Sequence, residues 1–426
     1  MATPDGETLS RLRTDRGISQ AVVARRAGVS TGHISRVETG VRPVSPAVLT
    51  GYEVALGLRL RDLVLLPAGD TLGANTPLRQ EADQMRRRAF TAAIAAIAAG
   101  GPLGEPIQRA VAALGGADTP ARVGLADVVQ VEKAEQMFTS WDLRFGGGLA
   151  REMAGAQLRW ATGLLEAQMS DLVKNRLHTA VGSLAERAAW SSFDAGRHDS
   201  ARTLFKLALY AATEADDADL RAHVLSDIAT QQLYLGHPGD CLTVIRMAEG
   251  DDRISAGVKF VLHGVKARAY GALGDAGNCT IQIGKAESAY AGVRPEKTPG
   301  WMTGFLCDAH VHSVTGQAAY NLAWARGQFS DDAHTRLSTA ITGLGDGRAR
   351  AVALCATRLA TLHLHAGNLP EGRRAARTAL AVTPGLRSAR IDRDLGTVHT
   401  AADLHPDDAD LREISSQITD ALATVG

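Results

Sequence analysis

The chain has 426 residues, more than one ordinary hydrophobic core organises, so its length predicts two or three domains. Hydrophobic residues make up 45% and aromatics only 4%, with Ala, Leu and Arg abundant, the balance of a globular protein of helices packed through small side chains. The formal net charge of zero hides an asymmetry: residues 1–66 hold nine Arg, no Lys and six acids, a net of +3, which leaves −3 for the rest and fits a basic nucleic-acid reader on a mildly acidic regulatory body.

The N-terminus lacks a charged-then-apolar signal sequence, so a cytoplasmic protein is expected. In SQAVVARRAGVSTGHISRVETG, Ser19 to Gly40, apolar or small residues at Val22, Val23, Ala24 and Ala27 form the one-sided pattern of a short helix. Ser19 is its N-cap and Gln20 lies in its first turn. Gly28 stands just past the last helical residue, where a left-handed backbone ends a helix at little cost. Val29 returns to the core, and Ser30 caps a second helix that turns Ile34 and Val37 inward and is closed by Gly40. Two short helices joined by a tight turn are predicted. A Ser-Pro entry at 45–46 then opens SPAVLTGYEVALGL, and Tyr52, Val54, Ala55 and Leu56, followed by Leu60, Leu63 and Leu66, complete a five-helix unit.

The segment LSRLRTDRGISQAVVARRAGVSTGHISRVETGVRPVSP resembles the Cro-type, or XRE-type, helix-turn-helix of phage repressors and bacterial regulators. The matching residues are Leu12 and Arg13, Ser19-Gln20, Ala24, Ala27-Gly28-Val29-Ser30, Ile34-Ser35, Val37-Glu38 and Gly40, within residues 7–66. The resemblance implies a DNA-binding domain over residues 5–67, with the second helix in the major groove of a double-stranded operator. Thr31, Gly32, His33 and Arg36 then meet base edges, Arg36 being the best reader because a guanidinium bridges O6 and N7 of guanine. Gln20 and Ser30 would meet phosphates at helix N-termini, and Arg42 another phosphate. In the same family Arg13 and Glu38 form a partly buried ion pair, so they are expected to be structural.

Residues 68–107 read as a linker containing a basic helix, MRRRAFTAAIAAIAAGG from Met85 to Gly101, whose Arg86–Arg88 cluster is a further candidate for phosphate contact. Its apolar run is about half of the ~20 residues a bilayer span needs, so no membrane association is expected. Residues 108–426 carry helical patterns broken by Gly, Asp and Asn. Five segments repeat one design: an apolar helix, a Gly, a polar turn and a second helix with Ala about twelve residues on. The glycines are Gly196, Gly236, Gly274, Gly327 and Gly367, at spacings of 40, 38, 53 and 40, and the later alanines include Ala208, Ala286 and Ala379. The long step contains GVRPEKTPGW, a predicted loop, and residues 127–188 are expected to cap the array, with WDLRFGGG at 141 as a break. Cys241, Cys279, Cys307 and Cys355 lack metal-like spacing and read as reduced, buried thiols.

This layout resembles tetratricopeptide repeats, which implies a solenoid with a concave inner face. The residues six and three positions before each glycine would face inward: Trp190, Phe193, Thr230, Leu233, Arg268, Gly271, Asn321, Trp324, Thr361 and Leu364. Trp190, Arg268, Asn321 and Trp324 form the candidate ligand set, a charge and an amide between two aromatic walls. No enzyme is expected. The His310/His312 and His363/His365 pairs face different sides of a helix, and no Walker loop, Gly-x-Ser-x-Gly or dinucleotide fingerprint occurs. No metal or cofactor is expected either.

The whole is expected to be all-α, a five-helix head followed by a tetratricopeptide-like α-solenoid. It resembles the peptide-responsive regulators grouped as RRNPP and large regulators of actinobacteria. That resemblance implies a nucleoid-associated homodimer on a palindromic operator, answering to a signalling peptide or small molecule. The alternative is a DNA-tethered scaffold whose repeats bind a protein partner.

Overall fold

Ala, Leu and Arg are strong helix formers, and this chain folds as helices throughout. The computed structural model describes residues 9–10, 13–14, 18–56, 77–101, 120–145, 147–302 and 306–423. These contain eighteen α-helices and no strand beyond a single bridge between Arg122 and Gln168. Two compact units result, Met1–Ala89 and Phe90–Gly426.

In the first unit, α1 (Gln20–Ala27), α2 (Thr31–Glu38) and α3 (Pro46–Leu56) enclose Leu9, Val23, Ala24, Ile34, Val37, Val48 and Tyr52. α1 and α3 pack closely because Gly51 has no side chain: a Cβ there would stand 2.4 Å from that of Ala27. The fifth helix, with Leu60, Leu63 and Leu66, falls outside the described residues.

The unit boundary falls inside α4 (Pro77–Ala98). From Phe90 on, this helix corrects the linker expectation. Phe90, Ile94 and Ile97, spaced by four and three, are buried in the main core of the second unit, and Lys206 Nζ lies 5.2 Å from the centre of the Phe90 ring. A helix with a large apolar stripe has a core to join. α5 (Leu125–Phe145) and α6 (Gly147–Gly163) follow, divided at the predicted break.

Six helical hairpins come next. Their first helices are α7 (Asp171–Asp194), α9 (Ala218–Tyr234), α11 (Ala256–Ala272), α13 (Asp308–Arg326), α15 (Ala349–His365) and α17 (Ala389–Ala402). Their partners are α8 (His198–Glu214), α10 (Pro238–Ala248), α12 (Ala276–Ala291), α14 (Asp331–Leu344), α16 (Leu369–Val382) and α18 (Ala409–Ala423). The first five turn on Gly196, Gly236, Gly274, Gly327 and Gly367, all at positive φ. Each turn repeats one hydrogen-bond pattern, as in Gly196 N–H to Phe193 O and Arg197 N–H to Ser192 O. The second of these bonds closes a left-handed helix end and satisfies a carbonyl the helix leaves free. Ala208, Ala286 and Ala379 are fully buried where the second helix meets the first. The long step holds short 3-10 turns at Pro295–Lys297 and Gly300–Met302. Cys241, Cys279 and Cys355 are buried free thiols and Cys307 is half-buried.

The array does not end as an open groove. The buried Asp194, at the end of α7, accepts hydrogen bonds from Ser388 Oγ (2.7 Å), Arg390 Nε (2.7 Å) and Arg350 (3.2 Å). Arg393 donates to the Tyr234 carbonyl at 2.6 Å, and the Tyr234 hydroxyl to the Ala389 carbonyl at 3.4 Å. These contacts clasp the sixth hairpin to the first two, so the first helices surround a central cavity.

Candidate nucleic-acid interface and central cavity

The cavity has a volume of about 680 Å³ and takes residues from α7, α9, α11, α13, α15 and α17. All four candidate ligand residues, Trp190, Arg268, Asn321 and Trp324, lie on its wall, with Phe193, Thr230 and Leu233. The other inward expectations are corrected. Gly271 is a close-packing site, where a Cβ would stand 2.5 Å from the Ala318 carbonyl. Thr361 and Leu364 are buried away from the cavity. α15 packs on both α16 and α17, so its cavity side carries Arg350, Leu354 and Arg358. Asn321 spends its Nδ2 donor on the Arg268 carbonyl at 3.0 Å, which joins α13 to α11.

Charge distinguishes this wall. It carries Arg187, Arg268, Arg348, Arg350, Arg358, Arg390 and Arg393, while Asp227 and Asp394 are its only acids among the described residues. Arg350 and Arg390 hold Asp194; burial alone would raise that carboxyl's pKa, but the two guanidiniums and Ser388 bring it down to about 2. Arg358 reaches Asp394 at 3.3 Å. Arg268 instead meets two neutral groups, Thr230 Oγ1 at 3.0 Å and Gln317 Oε1 at 3.3 Å, and its Nε has no hydrogen-bond partner. Burial lowers its pKa to about 10. The aromatic groups are Trp190 with Phe193 and Tyr234, and Tyr320 stacked on Trp324 with centroids 6.2 Å apart.

At the cavity wall, His223 and Asp227 are buried together with Glu186, their ligand atoms within 4.8 Å of one another. Their surroundings suit a shared proton better than a cation. Arg187 already pairs with Glu186 at 2.6 Å and keeps it ionised against its own burial. Burial and the Glu186 charge drive the Asp227 pKa well up, and burial lowers His223 to about 4. His310 lines the cavity, whereas His363 is buried against His334, with 3.0 Å between ring nitrogens.

In the first unit, α1 ends where Gly28 adopts φ +66° and Val29 N–H reaches back to the Ala24 carbonyl. α2 begins with Ser30 Oγ accepting the His33 N–H at 3.2 Å. Ile34 and Val37 are fully buried. On the opposite side Thr31, Gly32 and Arg36 are exposed and His33 is half-buried, with Nδ1 3.5 Å from Arg42. A Cβ at Gly32 would meet nothing within 4 Å. Over residues 19–44 the exposed charges are Arg25, Arg26, Arg36 and Arg42, and the one acid, Glu38, is buried.

A family model described as a helix-turn-helix domain matches residues 6–65. The chain carries a helix-turn-helix domain of the kind found in DNA-binding regulators. No curated protein and no solved structure matches the chain.

In this helix-turn-helix the motif is held together through Glu38. Its carboxylate accepts from Arg13 (2.5 and 2.8 Å), Ser10 (2.9 Å), Gln20 (2.7 Å) and Tyr52 (2.5 Å). Burial pushes the Glu38 pKa up, but these donors outweigh it and bring it down to about 2. Burial and the same carboxylate raise the Tyr52 pKa. Gln20, expected on a phosphate, thus directs its amide inward. Ser19 occupies the cap position of α1 without a side-chain cap hydrogen bond. Arg25 and Arg26, which the sequence reading passed over, extend the basic surface. No described helix is long and apolar enough to cross a membrane.

Proposed function

We propose that the chain is a sequence-specific transcriptional regulator of the XRE type, and that its tetratricopeptide-like body forms a homodimer and senses a small molecule in the central cavity. The observation that carries the DNA reading is the exposed face of α2, with Arg36 at its centre and only positive charge exposed around it. α2 is the helix such motifs lay in the major groove, where its exposed face meets base edges. Arg36 reads a guanine, and Arg42 and Arg25 meet phosphates. The role is one of binding rather than catalysis, exercised in the cytoplasm on the nucleoid.

The test is selection of bound fragments from genomic DNA by the purified protein at several salt concentrations. A palindromic motif with half-sites about 34 Å apart, or a multiple of that, is the expected result. Binding should fall steeply as salt rises. Arg36→Ala should weaken the selected site by about 1–3 kcal/mol and relax one base position. Salt-sensitive binding without any motif would overturn the operator reading.

A further inference from the structure

We propose that the central cavity takes a compact organic anion bearing a flat ring, an aromatic carboxylate, sulfonate or phosphate, with its anionic group on the Arg268 guanidinium and its ring against the Trp324–Tyr320 wall, rather than an extended peptide. This inference rests on the reading of the body as a ligand sensor and names the class of ligand.

Charge is the first ground. Seven arginines line the cavity against two aspartates. The clasp and Asp394 compensate Arg350, Arg390 and Arg358. Arg268 has only Thr230 and Gln317, both neutral, and an unpartnered Nε. A sequestered guanidinium without a counter-charge is costly, and an incoming anion supplies that charge through short, charge-assisted hydrogen bonds. The nearby Asp227 makes no hydrogen bond to Arg268 and lies against the buried Glu186, whose charge together with burial raises its pKa well above the ordinary carboxylate value.

Shape and lining are the second ground. A volume of about 680 Å³ lies within the usual range for small-molecule sites. A peptide brings a cationic amine and a row of backbone groups. Asp394 is already engaged by Arg358, and Asn321, the amide suited to a peptide backbone, is committed to the Arg268 carbonyl. Stacked Tyr320 and Trp324, the latter 48% exposed, offer a face to a flat ring.

The experiment is fluorescence titration of the full chain with 1-anilinonaphthalene-8-sulfonate and with its uncharged relative N-phenyl-1-naphthylamine. The sulfonate should bind saturably at one site per chain and more tightly than the uncharged dye. Arg268→Gln should weaken the sulfonate about 10- to 100-fold and leave the uncharged dye unchanged, as expected for loss of hydrogen bonds to a charged group. Trp324→Ala should weaken both dyes. Arg268→Lys, which keeps the charge and loses the planar fork, should fall between wild type and Arg268→Gln.

Equal affinity of the two dyes for the wild-type chain overturns the anion assignment, and this comparison needs no variant to fold. A free-ended hexapeptide of Ala and Gly that displaces the sulfonate at lower concentration than 1-naphthoate overturns the compact ring. The sensor reading fails separately, if 1-naphthoate occupies the cavity and affinity for the selected DNA site does not move.

Discussion

Glu38 gathers five donors from four residues, Ser10, Arg13, Gln20 and Tyr52, onto one buried carboxylate. Removing its charge leaves Arg13, only 14% exposed, without its counter-ion. Glu38→Gln should therefore destabilise the helix-turn-helix by about 3–5 kcal/mol, read as faster amide exchange over residues 20–56. Arg36→Ala, at an exposed position, should change stability by no more than about 0.5 kcal/mol and act on DNA alone. The acid response follows from the same group. Its folded pKa is lowered from 4.5 to about 2, so its stabilisation is complete above pH 4.5 and is lost as pH falls toward 2. Exchange in this unit, corrected for intrinsic rates, should rise across that window. The Arg13–Glu38 pair was legible through its resemblance to a known motif. That Gln20 and Tyr52 also turn to Glu38 was not, because those residues stand 18 and 14 positions away in the chain and only packing brings them together.

Helical hairpins are where sequence spoke most clearly. A glycine at positive φ leaves a local, repeatable mark, and five turns were found by it. The sixth hairpin turns through Asp403, Leu404 and His405 with no glycine, and so gave no mark. Alanine-rich α4 reads as a linker helix because, from Phe90 on, its large apolar residues, Phe90, Ile94 and Ile97, are sparse among alanines. Glycines inside helices separate by what surrounds them. Gly284 in α12 has open space where a Cβ would stand, so Gly284→Ala should stabilise the body by about 0.5–1 kcal/mol. Gly271 in α11 faces the Ala318 carbonyl, where a Cβ would lie 2.5 Å away, so Gly271→Ala should instead lower the melting temperature. Thermal denaturation of the two variants side by side checks both signs.

At the scale of the whole body, the clasp at Asp194 decides the form. A solenoid commonly depends on nearest-neighbour contacts, yet here residues 194 and 196 positions apart share one buried carboxylate. Asp194→Ala removes the buried carboxylate that Arg350 and Arg390 share and should cost about 3–5 kcal/mol. Amide exchange should rise first in α17 and α7, ahead of α11 and α12. The clasp was not legible in the sequence, and of the cavity arginines only Arg268 was, through its place six residues before Gly274. The other six are scattered from 187 to 393 with no common spacing, and only ring closure assembles them.

Closure also sets an order on the protein's birth. While the chain is being synthesised, the early hairpins can stack as they emerge, but Ser388, Arg390 and Arg393 come late. Until they leave the ribosome, Asp194 lacks its bonds to Ser388 and Arg390 and the chamber has no final wall. A nascent chain therefore lacks a complete chamber until they emerge, whereas the helix-turn-helix of residues 6–65 lies well ahead of them in the order of synthesis.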